Sequence, residues 1–99
     1  MSKRKIWPID RSRKRDLEKL CLSYDVLRKE GRDNLADTIK TAAHLADPTI
    51  ESWLMAGLTE GMGYRTMEAR GIPCGVDYYY DRRNKMLYHL DKLLVEKDL

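Results

Sequence analysis

Apolar residues recur at spacings of three and four along most of the chain, and no segment alternates as a half-buried strand would, so the pattern predicts an all-α fold of five helices. The first helix is expected from Asp10 to about Lys29, where Leu17, Leu20, Cys21, Tyr24 and Leu27 share one face and Gly31 stops the run. The second should span about Asp33 to Ala46, with Asp33 as N-cap and Leu35, Ile39, Ala42 and Leu45 or Ala46 turned inward. Its alanine content predicts close packing. Asp47-Pro48 is the next start signal, a cap followed by a proline at the first helical position, with Ile50, Trp53, Leu54 and Leu58 as the apolar face. Glycines at 57, 61 and 63 are then expected to break the chain into a loop.

Periodicity resumes at Gly63. Tyr64 and Met67 define a short helix that Gly71 should close in the left-handed conformation, with Ile72 tucked under the turn and Pro73 barring continuation. Asp77 is the expected cap of a long final helix, on which Val76, Tyr79, Met86, Leu87, Leu90, Leu93 and Leu94 fall within a sector of roughly 120°. The opposite face carries Tyr78, Asp81, Lys85, Tyr88 and Lys92, with Arg82 and His89 at its edge. Arg83 falls inside the apolar sector, so its stem should be partly covered and its guanidinium paired with an acid such as Glu68, or emerge at the helix edge.

The 99 residues suffice for one domain with a modest core, built mostly from Leu and Met because Phe is absent. Charge is distributed unevenly. Residues 1–15 hold seven basic side chains against Asp10 alone, a net +6, which leaves −3 for the rest of a chain whose total is +3. A basic N-terminal arm over 1–15, ahead of a mildly acidic body over 16–99, points to a polyanionic partner; the competing reading is a solvated tail that aids solubility. Trp7 and Pro8 interrupt the run, and a tryptophan in a polar tail tends to dock on the body. No run approaches the 18 or so apolar residues of a membrane span, and the basic N-terminus has no apolar stretch behind it, so a cytoplasmic protein with Cys21 and Cys74 as free thiols is expected.

A short helix, a Gly-Pro turn and a long aromatic-basic helix over residues 63–94 have the outline of a helix-turn-helix. Near the start of the last helix, Arg82 and Lys85 can reach phosphates or guanine edges, and Tyr78 can donate to phosphate. Arg65 on the preceding helix and Lys3, Arg4 and Lys5 in the arm would add phosphate contacts. The competing reading makes the Tyr78–Arg83 cluster the wet flank of a core helix. Double-stranded DNA is the expected partner.

Gly63-Tyr64, Met67-Glu68, Gly71-Ile72-Pro73, Tyr78-Tyr79-Tyr80 with Arg82-Arg83, and the Leu-rich helix after them resemble the C-terminal helix-turn-helix of phage-encoded transcription regulators of the RinA and ArpU type, which are in turn similar to the sigma-factor region that reads the promoter −35 element. The resemblance covers about a third of the chain. It implies that Tyr64 and Met67 pack against the recognition helix, that Gly71 and Ile72 form the turn, and that Tyr78, Arg82 and Lys85 read DNA upstream of late genes in a bacterial or phage-infected cell, with RNA polymerase as a further partner. The sequence departs from that pattern between Gly71 and Asp77, a segment longer than the roughly three- to four-residue turn of such motifs.

Other chemistry is weakly represented. Cys21, His44, Cys74 and His89 lack the short ligand spacings of a zinc site, so no metal is expected. Cys74 has no sequence neighbour suited to Cys-His catalysis, and no Walker loop, dinucleotide fingerprint or acidic metal cluster occurs, which argues against an enzyme and against a cofactor. The alternative function is a small helical adaptor or inhibitor that binds a protein rather than DNA. Under either reading Tyr79, Arg83, Met86, Leu90, Leu93 and Lys97 offer a short heptad seam through which two copies could pair.

Overall fold

The computed structural model describes residues 7–99, and they form an all-α fold. Six α-helices follow in order: α1 (Arg11–Leu22), α2 (Tyr24–Lys29), α3 (Asp33–Ala46), α4 (Glu51–Thr59), α5 (Tyr64–Ala69) and α6 (Val76–Glu96), with a 3-10 turn at Pro48–Ile50 between α3 and α4. The count exceeds the expected five because the first helix breaks at Ser23. There the Ser23 hydroxyl donates back to the Lys19 carbonyl at 3.3 Å, a bond that competes with the helical ladder and bends the chain. Residues 11–15, counted with the basic arm but also within the helix expected from Asp10, begin α1, capped by the Asp10 carboxylate on the amides of Ser12 and Arg13.

α2 and α5 end alike. Gly31 (φ 75°) and Gly71 (φ 92°) take the left-handed conformation. The following amides return to the third-last carbonyls, Arg32 to Leu27 at 2.8 Å and Ile72 to Met67 at 3.0 Å. Asp47 caps the 3-10 turn through Thr49, with Pro48 at its first position as expected. Two other expected caps are not used. Asp33 lies inside α3 behind an Arg32 N-cap and pairs with Arg28, and Asp77 lies inside α6 behind a Gly75 N-cap.

α6 is the central helix. α1 and α3 both lie antiparallel to it: Arg13 meets Asp91 and Glu18 meets Arg83 on one side, while Tyr78 and Arg82 meet Asp47 and Lys97 meets Thr38 on the other. The α3–α6 pair is the most extensive in the molecule. Ala36, Ala42, Ala43 and Ala46 are buried on the contacting helix, so the close packing expected from its alanines is present. Leu17, Cys21, Ile39, Leu54, Leu58, Met67, Tyr79, Met86, Leu87 and Leu90 fill the centre.

Gly57 does not break the chain. It lies within α4, buried, with the Tyr79 hydroxyl seated over it so closely that a Cβ would collide with the phenolic oxygen. Val76, placed inward by its sector, is 46% exposed, because the first turn of α6 projects past the end of α3. Leu45 is likewise outward, and Ala46 takes the inward place. The heptad seam faces the chain's own core, with Tyr79, Met86 and Leu90 all buried, so pairing of two copies would need another surface. No helix among the described residues is long and apolar enough to cross a membrane.

Candidate nucleic-acid interface

α5 is tied to the start of α6 by the Tyr64 hydroxyl, which donates to the Cys74 carbonyl at 2.6 Å, and by the Tyr64 and Tyr79 rings, 5.8 Å apart. Met67 is buried beneath them. Helix, left-handed glycine and second helix therefore follow in the expected order, but the connection from Arg70 to Gly75 runs beyond the three or four residues typical of a helix-turn-helix.

The residues expected to read DNA are placed differently from one another. Tyr78 presents its ring to solvent, yet its hydroxyl donates to Asp47 Oδ2. Arg82 lies over that ring at 4.6 Å, with Nη1 3.0 Å from Asp81 and Nε 3.4 Å from Asp47, a charge contact that falls short of hydrogen-bond geometry. Burial alone would raise the pKa of the Asp47 carboxyl, but hydrogen bonds from Thr49 and Tyr78 and the Arg82 charge outweigh burial and hold it below its ordinary value. Tyr78 and Arg82 thus fasten α6 to the end of α3, and Arg82 is neutralised by two carboxylates. Arg65 is exposed on α5 and makes no ion pair among the described residues. Lys3, Arg4 and Lys5 lie outside the described residues.

Lys85 belongs to an aromatic-cationic cluster on the outward face of α6, organised by Trp7. The indole N–H donates to Asp81 at 3.3 Å, its ring lies 5.4 Å from Tyr88 and 6.3 Å from His89, and the Lys85 ammonium stands 5.4 Å from its centroid. Lys92 sits 4.8 Å over the Tyr88 ring. Partial burial, and after it the charges of Lys85 and Lys92, hold the His89 pKa below its ordinary value. Trp7 does dock on the body, beside Asp81, Lys85 and Tyr88.

Arg11, Arg15 and Lys19 form a feature that counting the arm as a block concealed. They recur every four residues on α1, are exposed, and make no ion pair among the described residues, whereas Arg13 is engaged by Asp91 at 2.6 Å. The four-residue spacing carried the signal in the sequence. Arg83, expected to pair with an acid such as Glu68 or to emerge at the helix edge, does pair with an acid, but with Glu18 at 2.9 Å, because α1 rather than α5 lies along that side of α6.

Both cysteines are free thiols; burial pushes the Cys21 thiol up to about 12, with the Arg83 charge opposing, and burial also raises Cys74. No three His, Cys, Asp or Glu side chains among the described residues gather as a metal site requires. The chain matches no protein-family model, no curated protein and no solved structure.

Proposed function

We propose that the protein is a sequence-specific, double-stranded-DNA-binding transcription regulator of the phage type, whose general affinity comes from α1 and the N-terminal arm. The observation that carries this reading is the exposed stripe Arg11, Arg15 and Lys19, which follows the basic arm in sequence. Three cations at a helical repeat, without ion-pair partners among the described residues, suit successive backbone phosphates. Base reading then falls to Lys85 and the exposed Tyr80 on α6, while Arg82 and Tyr78 position that helix through Asp47. The resemblance to RinA and ArpU regulators supports the same reading, with RNA polymerase as the further partner it implies.

A second reading, a protein-binding adaptor, is favoured by two other features. Asp77 and Asp81 stand at the start of α6, where a recognition helix would meet phosphate, and Leu22 and Val26 are exposed four residues apart around the α1–α2 bend. Selection of random duplex DNA at about 0.15 M salt, with an Arg11→Glu/Arg15→Glu/Lys19→Glu variant alongside, separates the two. The expected result is enrichment of one motif by the parent, and for the variant a log-log salt slope shallower by roughly 2.7, about 0.9 for each phosphate no longer neutralised. No enrichment by a folded parent would refute DNA reading and leave the adaptor.

A further inference from the structure

A cavity of about 360 Å³ opens between the end of α1 (Glu18, Leu22), α4 (Gly57, Leu58), the loop Gly61–Gly63 and the first turns of α6 (Tyr79, Tyr80, Arg83). Tyr79 lines it, and its hydroxyl, packed against Gly57 of the same wall, has no hydrogen-bond partner although the residue is 1% exposed. Arg83 lies near enough for its charge and a weak approach to the hydroxyl to oppose the rise that burial imposes on the Tyr79 pKa, but the contact falls short of full hydrogen-bond geometry. An unpaired buried hydroxyl is costly, and phenylalanine would fill the same space without that cost. The position therefore suits a group that accepts from Tyr79.

The rest of the cavity says which group. Arg83 and Glu18 both line it as an ion pair, so it presents donors and an acceptor together with no net charge. A carboxylate would be repelled by Glu18 and an ammonium by Arg83, whereas a primary amide offers an oxygen to Tyr79 and Arg83 and an N–H to Glu18. Leu22, Leu58 and Met62 supply an apolar wall. The volume falls at the lower end of the roughly 300–1,000 Å³ of small-molecule sites, so the occupant is small. We propose that this cavity binds a neutral carboxamide on a short aliphatic stem, either a free small molecule or a Gln or Asn side chain of a protein partner. The assignment does not rest on DNA binding.

The test is an NMR titration of the full chain with isovaleramide, isovalerate, isopentylamine and the capped peptide acetyl-Leu-Gln-Leu-amide, following the Gly57, Gly61 and Gly63 amides. The expected result is saturable shifts with isovaleramide in the millimolar range usual for so small a ligand, and binding at least about tenfold weaker for the two charged analogues. Tyr79→Phe, which keeps the ring over Gly57, should weaken isovaleramide by about tenfold, and Leu22→Trp at the mouth should block it. Tighter binding of the peptide than of isovaleramide would assign the site to a partner's side chain, and the reverse order to a free amide. Equal response to all three small probes, no saturable shift, or full binding by Tyr79→Phe would overturn the proposal.

Discussion

Replacing Gly57 by alanine should destabilise the protein, although alanine is the better helix former by about 0.8–1.0 kcal/mol. Gly57 is buried inside α4, and the added Cβ would overlap the Tyr79 hydroxyl oxygen and lie 2.9 Å from Met67 Cε and 3.3 Å from Tyr79 Cζ. Met67 can swing its terminal methyl aside, but Tyr79 is held in the core between α4, α5 and the rest of α6. Forcing a methyl into such a site costs about 1–3 kcal/mol, and direct overlap with a held oxygen belongs to the upper half of that range, so the net loss should be about 1–2 kcal/mol after the propensity gain. For a chain of this size that corresponds to a Tm lower by roughly 5–15 °C, read by far-UV circular dichroism and checked by urea unfolding. A double-mutant cycle with Tyr79→Phe isolates the collision. Removing the hydroxyl removes the closest approach and an unpaired polar group, so the phenylalanine variant should be at least as stable as the parent, and it should restore about 1 kcal/mol or more of the loss caused by alanine. A Gly57→Ala protein as stable as the parent, or strictly additive losses in the double variant, would refute the placement of Tyr79 over Gly57.

Asp47→Asn should cost about 1–2 kcal/mol at neutral pH, since Tyr78, Thr49 and Arg82 all lean on that carboxylate. The folded-state pKa of Asp47 is depressed, so its contribution is complete above the ordinary aspartate value near 3.9 and is lost as pH falls through that value towards the folded one. Urea unfolding of parent and variant should therefore converge below about pH 4, and a gap that persists to pH 2 would contradict the assignment. The two thiols should be told apart by Ellman's reagent at neutral pH. Cys74, half-buried at the α5–α6 connection, should react under native conditions, while Cys21, buried and pushed up to about 12, should react only after unfolding. Two equivalent fast thiols would mean that α1 does not cover Cys21.

Much of what local periodicity governs was legible before the tertiary structure, Val76 and the break at Ser23 excepted. The inward faces of α1, α3, α4 and α6 follow from apolar spacing because a helix must bury its stripe, and Asp47-Pro48 and Gly71 announced their turns because cap and left-handed geometry are local needs. The docking of Trp7 was anticipated as well, since a large indole loses too much by staying in water. Of the candidate interface, Lys85 stands on the outward face as expected, and the Arg11, Arg15 and Lys19 stripe could have been found from its spacing alone.

Only the tertiary structure decided what depends on which helix lies beside which. Gly57 read as a breaker because glycine lowers helix propensity by about 1 kcal/mol, and nothing local showed that a tyrosine from α6 would need that space. Arg83 read as paired with an acid such as Glu68 or emerging at the helix edge; an acid does meet it, but the neighbour on that side of α6 is α1, which supplies Glu18. Arg82 and Tyr78 sat on the expected wet face, and their engagement by Asp47 follows from α3 ending antiparallel to the first turns of α6. Hydrophobic periodicity specifies the direction in which a side chain points. The identity of the group it meets there depends on helix packing between segments distant in sequence, which a linear pattern does not encode.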